Sequence, residues 1–197
     1  MYPTYLKSVV LLSLSICFSG LAVAEPITYE IDSSHTYPSF EADHFGGLSI
    51  WRGKVNSTSG SIVMDRAART GTVDIRMEMG SIDFGHEGMN AEAIGHILDV
   101  ENIPTATYEG RLVNFENGSP TAVEGMLTLH GVSLPVNLNI NRFKCQPHYR
   151  TGAETCGADA SATIDRSDFG LDADLDRGFF PEVRLMISVE ARAPQED

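Results

Sequence analysis

The sequence predicts an all-β fold, because apolar and polar residues alternate along most of the chain. In the stretch 73–79, every second residue is apolar and the residues between are charged, as in a strand with one buried and one solvated face. The same alternation recurs in 136–141 and 182–189. A small chain with many such strands hides their apolar faces in a sandwich or a barrel, and a barrel of about eight strands can enclose an apolar ligand.

Ten strands are predicted in chain order, each from its own alternation and from the turn residues beside it. They span 27–32, 36–45, 48–55, 59–65, 72–79, 105–115, 122–130, 134–143, 157–165 and 182–191. The turn signals between several of them are Phe45-Gly46-Gly47, Arg69-Thr70-Gly71, Asn117-Gly118 and His130-Gly131. Because no linker or low-complexity run interrupts this series, we expect one domain over residues 25–197.

One segment departs from the strand pattern. In 87–99, Ile94, Ile97 and Leu98 recur at helical spacing, and a proline follows shortly after the segment. The sequence therefore predicts a short helix or lid in this region. A second short helix or turn is expected at 166–170.

The first 24 residues have the pattern of a secretory signal peptide. Lys7 precedes a largely apolar run, and Ala22-Val23-Ala24 forms a small-x-small cleavage signal. A retained membrane anchor is the alternative, but the apolar run is interrupted by serines and a spanning helix needs roughly 20 apolar residues. We therefore expect export and removal of the signal peptide after Ala24.

The charge balance restricts the partners that the chain can bind. It has 27 acidic residues against 14 basic ones, a formal net charge of −13. Nucleic acids are excluded as partners on this basis, because their phosphates require lysine and arginine. Tight docking on anionic lipid head groups is disfavoured for the same reason. The acidic residues lie along predicted outward strand faces, where they favour solubility.

Two cysteines, Cys145 and Cys156, lie beyond the predicted cleavage site. They flank a loop between two predicted strands, and in an oxidising compartment the sequence favours a disulfide that closes it. Closing a loop of about a dozen residues stabilises by roughly 3 kcal/mol in the chain-entropy model. The alternatives are a redox pair, which is usually spaced Cys-x-x-Cys, or a zinc site with His148, for which no fourth ligand is evident.

Several short motifs occur in an order that resembles a known family. They are Asp32-Ser33-Ser34-His35 leading into Phe40 and His44, Trp51-Arg52-Gly53, Asp99-Val100, Ile103-Pro104-Thr105-Ala106-Thr107-Tyr108, Gly125-Met126-Leu127-Thr128-Leu129-His130-Gly131, Pro135-Val136 and Ile164-Asp165-Arg166-Ser167-Asp168-Phe169-Gly170. With them the chain resembles the YceI-like, polyisoprenoid-binding family of secreted bacterial proteins. It departs from the family pattern at 81–86, so contacts in that region cannot be transferred to this chain.

The resemblance implies an antiparallel lipocalin-like barrel of about eight strands with one or two short helices. It also implies a periplasmic protein whose apolar interior holds a long isoprenoid chain, of polyprenyl or quinone type, or another amphiphilic lipid. Transient contact with a membrane or a membrane protein would accompany such a role. The resemblance implies no covalent chemistry and no cofactor other than the bound lipid.

The candidate lipid-binding residues combine strand parity with the family motifs. They are Phe40, Ala42, His44, Trp51, Val73, Ile75, Met77, Met79 and Tyr108. Methionine suits this role because it is a flexible apolar filler, and an isoprenoid chain offers only hydrocarbon groups to contact. His44 shares parity with the apolar residues of its strand and could bond a ligand oxygen. The alternative is that these residues fill a solid core.

Two other classes of function are left open by the sequence. The first is a metal-assisted or redox enzyme that uses His35, His44 and His86, although their spacing is not diagnostic of a metal site. The second is an adaptor barrel that binds no ligand and acts through its acidic outer face. The chain has no Gly-x-Ser-x-Gly, His-Glu-x-x-His or glycine-rich phosphate motif, so a binding protein is predicted rather than an enzyme.

Overall fold

The computed structural model describes residues 25–195, so the predicted signal peptide lies outside the described residues. In this range the chain forms β-strands, one short α-helix continued by a π-helical turn, and three 3₁₀ turns. The strands are β1 (Ile27–Ile31), β2 (Tyr37–His44), β3 (Ser49–Val55), β4 (Thr58–Asp65), β5 (Thr70–Glu78), β6 (Ile82–Asp83), β7 (Thr105–Val113), β8 (Ala122–Leu129), β9 (Val132–Pro135), β10 (Leu138–Pro147), β11 (Glu154–Asp165) and β12 (Glu182–Arg192). The helical segments within residues 25–195 lack the length and the apolar character of a membrane-spanning helix.

Eight of these strands form a closed antiparallel barrel, as predicted. They follow one another around the ring in the order β1, β4, β5, β7, β8, β10, β11 and β12. The ring closes where β12 returns to β1, with Glu30 opposite Arg192 and Ile31 opposite Ala191. Closure leaves these strands without a free edge along the ring and turns every second side chain toward a common interior.

A short extension of the sheet lengthens one end of the barrel. The edge of β12 that pairs with β1 also pairs, further along, with β2. Strand β2 pairs with β3, and β3 pairs with β6. The turn between β2 and β3 occupies 45–48, where Phe45 and Gly46 have left-handed φ angles of 64° and 65°. A Cβ on Gly46 would lie 2.9 Å from the Gly178 carbonyl oxygen, so glycine lets the segment 166–181 pack against this turn. We call this end of the barrel the hairpin end.

The predicted helix at 87–99 is present, with a change of pitch. Helix α1 spans Glu87–Glu92, and its N-terminus is capped by His86, whose ring accepts a hydrogen bond from the Met89 N–H. A π-helical turn, Ala93–Ile97, continues it. Residues of α1 are not buried, whereas Ala93 and Leu98 are. The segment is thus held to the barrel mainly by its C-terminal half.

The second predicted short helix is a 3₁₀ turn, Arg166–Phe169. The Asp165 side chain caps its start by accepting from the Ser167 N–H, and Gly170 ends it with a φ of 73°. Phe169 is fully buried and holds the turn against the barrel. A further 3₁₀ turn, Leu175–Arg177, follows in the same connection.

The prediction of one unbroken strand over 134–143 is wrong. The chain forms β9 and β10 there, which keep the same register against β8 but are interrupted between them. At the break the Val136 N–H still donates to Gly125, but the Val136 carbonyl accepts instead from the Tyr108 hydroxyl at 2.8 Å. The Gly125 N–H therefore donates to the Asn137 side-chain oxygen instead of to the Val136 carbonyl. A Cβ on Gly125 would lie 2.4 Å from the Tyr108 oxygen, so glycine permits this exchange.

Cys145 and Cys156 form a disulfide in the structure. As predicted, they flank the loop between two strands, and they face each other within the ladder of β10 and β11. Both strands run longer than predicted, to Pro147 and from Glu154. The bridge therefore joins two adjacent strands of the barrel close to the tight connection between them.

Asp32 fastens the end of β1 to its neighbours. Its carboxylate accepts from the Ser34 N–H at 3.1 Å, lies 2.8 Å from the His35 ring nitrogen and pairs with Arg192. Burial raises the pKa of Asp32, but the hydrogen bonds from Ser34 and His35 and the charge of Arg192 outweigh it and lower the pKa to about 2. The ionised carboxylate is the form that the fold stabilises.

Candidate functional site

The interior of the barrel is a cavity of about 330 Å³ rather than a solid core. Side chains from the ring strands, from β2 and β3, and from the helical segment contribute to its wall. Nearly all of them are apolar, because inward positions on each strand are the apolar members of the period-two pattern. The volume lies within the range of about 300–1,000 Å³ that is typical of ligand sites.

All nine residues predicted from the sequence as ligand contacts line this cavity. They are Phe40, Ala42, His44, Trp51, Val73, Ile75, Met77, Met79 and Tyr108. On β5, Val73 and Met77 are buried while Asp74 and Arg76 are exposed, so the predicted facing of that strand is confirmed. The structure brings these residues together around one space, and their contact with a lipid stays a prediction.

Flexible apolar side chains are frequent in the wall. Met64 and Met77 project from ring strands, Met79 follows β5, and Met89 projects from α1. Methionine has an unbranched side chain with several rotatable bonds, so it adapts to ligands of irregular shape. The wall can therefore follow the contour of a methyl-branched chain without a fixed complementary groove.

Aromatic rings gather in the wall at the hairpin end. The ring centroids of Phe40 and Phe84 lie 5.4 Å apart, and those of His44 and Trp51 lie 4.8 Å apart. Phe179 packs edge-on against His44 at 5.8 Å. Phe40 has room because its cross-strand partner is a glycine. Phe84 and Phe179 were not predicted, because both lie in irregular segments where no periodicity marks a facing.

Among residues 25–195, the charged groups that reach the wall lie at the hairpin end. The Asp43 carboxylate accepts from the N–H groups of Gly46, Gly47 and Phe180 at 2.6–2.9 Å. Burial raises the pKa of Asp43, but these three donors outweigh it, so the pKa lies below its usual value. Asp43 therefore ties the β2–β3 turn to the segment 166–181 as a carboxylate.

Arg166 is a second charged residue of the wall that bonds to other parts of the protein. Its guanidinium donates to the carbonyl oxygens of Leu171 and Ala173, the latter at 2.7 Å. Burial lowers the pKa of Arg166, and the carboxylates of Asp172 and Asp174 partly oppose this effect. These bonds fold the connection between β11 and β12 over the hairpin end.

Two tyrosines deeper in the wall are held in the neutral form. The Tyr29 hydroxyl donates to Glu154 at 2.6 Å, and burial followed by this hydrogen bond raises its pKa to about 12. Burial also raises the pKa of Tyr108. Neither phenol ionises near neutral pH, so both present an uncharged surface to the cavity.

The three histidines of the alternative enzyme hypothesis do not share a site. The His35 ring bonds Asp32 outside the barrel, and His86 caps α1. His44 and His86 both lie near Trp51, with ring centroids 4.8 Å and 6.2 Å from it. The ligand atoms of the three histidines do not cluster within 4.8 Å of one another. Their placement therefore gives no support to a common metal or catalytic centre.

Comparisons with known proteins agree with this architecture. A family model described as the YceI-like domain matches residues 29–191. The chain is 30% identical over 174 residues to a UPF0312 protein of Pseudomonas paraeruginosa, covering 87% of this chain and 89% of that one. It is also 30% identical over 174 residues to a UPF0312 protein of Yersinia pestis, covering 87% and 88%.

Solved structures share the fold at lower sequence identity. A polyisoprenoid binding domain from Saccharophagus degradans, implicated in plant cell wall breakdown, has a TM-score of 0.62 and 15% identity, covering 85% of this chain and 99% of that one. Burkholderia cenocepacia BcnA has a TM-score of 0.62 and 18% identity, covering 82% and 99%. The Campylobacter jejuni YCEI protein has a TM-score of 0.61 and 20% identity, covering 75% and 88%.

Proposed function

This chain belongs to the YceI-like family, and we propose that it binds an isoprenoid lipid, of polyprenyl or quinone type, inside its barrel. The observation that carries the proposal is the cavity of about 330 Å³ with an almost wholly apolar wall. The Saccharophagus degradans domain of the same fold is described as polyisoprenoid binding, which supports this class of ligand.

The energetics of such a site do not require a strong polar anchor. Each tail methylene removed from water contributes roughly 0.8 kcal/mol. Several isoprene units inside the wall therefore supply enough free energy to hold the lipid, and the methionines adapt to its methyl branches. The proposed role is binding and transport without covalent chemistry. The alternatives to this role are a metal-assisted enzyme and an adaptor that binds no ligand.

We place the protein in the periplasm as part of this proposal. The signal-peptide pattern of residues 1–24 and the disulfide between Cys145 and Cys156 both suit an oxidising compartment. Cell fractionation with N-terminal sequencing is expected to find the mature chain starting at Glu25 in the periplasmic fraction. Recovery of the protein from the cytoplasm with residues 1–24 attached would contradict this localisation.

The hairpin end is the proposed site of lipid exchange with a membrane. Four exposed apolar side chains cluster there, Phe45, Leu48, Ile50 and Phe180. The Phe45 ring lies 5.5 Å from Phe179 of the cavity wall, so this apolar surface is continuous with the interior. The acidic chain favours a neutral lipid surface over an anionic one.

Transfer kinetics test this exchange site. We expect Leu48→Ser and Phe180→Ser to slow uptake of lipid from phosphatidylcholine vesicles, while the amount bound at equilibrium changes little. Tyr149→Ser is the matched control, because Tyr149 is 81% exposed but lies at the opposite end of the barrel. Equal uptake rates for the wild type and the three variants would show that lipid does not exchange at the hairpin end.

Movement of the helical segment is proposed to open the cavity to the tail. Met89, Ala93, Ile97 and Leu98 form part of the wall, yet α1 has no buried residue. We expect backbone hydrogen exchange in 87–98 to be faster than in β5 and β7, and to slow when lipid binds. Exchange as slow as in the ring strands, unchanged by lipid, would refute this gate.

Trp51 provides a direct test of binding. It is the single tryptophan of the chain and it lines the cavity, so its emission reports only on this site. Protein stripped of lipid and refolded is titrated with geranylgeraniol. We expect a saturable change in emission at one lipid per protein. A flat titration, together with no lipid in an organic extract of the purified protein, would reject the proposed function.

A further inference from the structure

Hydroxyl groups in the cavity wall differ in how they are satisfied. Five hydroxyl side chains line the cavity, Tyr29, Thr36, Ser39, Thr58 and Tyr108. The Tyr29 hydroxyl donates to the Glu154 carboxylate (2.6 Å), and the Thr36 hydroxyl donates to the Glu190 carbonyl oxygen (3.0 Å). The Ser39 hydroxyl donates to the Tyr37 carbonyl oxygen (3.3 Å), and the Tyr108 hydroxyl donates to the Val136 carbonyl oxygen (2.8 Å). The Thr58 hydroxyl has no hydrogen-bond partner among residues 25–195.

Thr58 is deeply buried and faces inward. Its side chain is in the cavity wall and the residue is only 2% exposed. It begins β4 directly opposite Met77 of β5, which is itself an inward-facing wall residue. Its backbone is fixed, because the preceding Asn56 and Ser57 N–H groups both donate to Ser81. The start of β4 is therefore held in place at the cavity wall.

Within residues 25–195, the inward ladder positions around Thr58 carry no acceptor side chain. The inward positions nearest to it in the ladder are Met77, then Ala106 on β7, and Gly60 on its own strand. The charged wall residues lie at the hairpin end, separated from Thr58 by the length of β3, Ser49–Val55. At about 3.3 Å per residue this distance is roughly 20 Å.

A buried hydroxyl with no hydrogen-bond partner lowers the stability of the fold, so its presence calls for an explanation. A trapped water would bond poorly here, because a buried water needs two to four polar partners and the inward ladder neighbours of Thr58 among residues 25–195 are Met77, Ala106 and Gly60. A ligand oxygen needs only the one donor. We propose that the Thr58 hydroxyl donates a hydrogen bond to an acceptor oxygen carried by the bound isoprenoid.

This inference rests on the proposed function and refines its ligand class. It selects isoprenoids with a ketone, quinone or ether oxygen over pure hydrocarbons, and it places that oxygen within the apolar interior rather than at the hairpin end. A single neutral hydrogen bond of this kind changes relative affinity by about two- to tenfold. Thr58 thus acts as a specificity residue, while the apolar wall supplies most of the affinity.

A competition between two matched probes tests the inference. Lipid-free protein is incubated with phosphatidylcholine vesicles that contain equal amounts of geranylgeranylacetone and the hydrocarbon in which a methylene replaces its carbonyl. The ratio of the two probes retained by the repurified protein is measured by mass spectrometry. The proteins compared are the wild type, Thr58→Val, Thr58→Ser and Thr155→Val. Thr155 is the control, because its hydroxyl is also buried without a partner but lies outside the cavity wall.

We expect Thr58→Val to lower the ketone-to-hydrocarbon ratio about two- to tenfold relative to the wild type, with hydrocarbon retention unchanged. Thr58→Ser and Thr155→Val are expected to keep the wild-type ratio. An unchanged ratio in Thr58→Val, with both probes still retained, would overturn the role of Thr58 and leave the proposed function intact. Retention of neither probe by the wild type would overturn the proposed function itself.

Discussion

Filling the cavity with a protein side chain is expected to abolish lipid binding at little cost in stability. Ala160 on β11 faces the interior between Ile140 of β10 and Ile187 of β12, and all three line the cavity. Ala160→Phe adds one benzene-sized ring at this position. An apolar cavity of about 150 Å³ accepts a benzene molecule. The cavity here, about 330 Å³, is roughly twice that size.

The magnitude follows from the tail carbons that the ring displaces. Displacing about six carbons, at roughly 0.8 kcal/mol each, removes up to about 5 kcal/mol of binding free energy. That loss weakens Kd by more than about a thousandfold. In a solid core the same substitution would instead cost about 1–3 kcal/mol of stability, roughly 2–12 °C in melting temperature for a domain of this size.

The assay pairs two measurements on lipid-free protein, the Trp51 titration with geranylgeraniol and the thermal unfolding midpoint. Ala122→Phe is the matched control, because Ala122 alternates with inward Val123 and lies outside the cavity wall. We expect Ala160→Phe to lose binding with a midpoint within a few degrees of the wild type, and the control to keep both. A large fall in the midpoint, with binding retained, would refute the reasoning.

Three further outcomes are expected. Replacing both Cys145 and Cys156 by serine is expected to lower the free energy of unfolding by about 3 kcal/mol in a urea titration, and an unchanged midpoint would show that the bridge adds nothing. Asp32, with its pKa lowered to about 2, stabilises the fold fully above its unfolded pKa of 3.8 and loses this contribution as the pH falls toward 2. Asp32→Asn should therefore lose less stability than the wild type between pH 5 and pH 2, and parallel pH profiles would exclude the effect. Tyr108→Phe leaves the buried Val136 carbonyl without its donor. It is expected to lower the free energy of unfolding by about 1–2 kcal/mol without loss of lipid binding. An unchanged free energy of unfolding would mean that water replaces the hydroxyl.

The period-two pattern was sufficient to predict the part of the wall that lies on regularly alternating strands. Alternation on β5 fixed the facing of Val73, Ile75 and Met77, because strand geometry sends neighbouring side chains to opposite sides. The same rule placed Ala42 and His44 inside. These are local consequences of the backbone, and they need no knowledge of which strands pair.

The remaining features depend on contacts between distant parts of the chain. The sequence did not show that one edge of β12 pairs with both β1 and β2, since alternation carries no information about partners. The interruption between β9 and β10 arises from the Tyr108 hydroxyl on another strand. Phe179 enters the wall from an irregular connection. Thr58 was missed because the predicted strand began one residue later, which left its facing undefined.

Native mass spectrometry of freshly purified protein tests the central claim most directly. We expect one non-covalent adduct per chain, and an organic extract in which that adduct is an isoprenoid lipid. Ala160→Phe purified in parallel is expected to show the bare chain mass. A wild-type protein that carries no lipid, or that carries one metal ion per chain instead, would contradict the account.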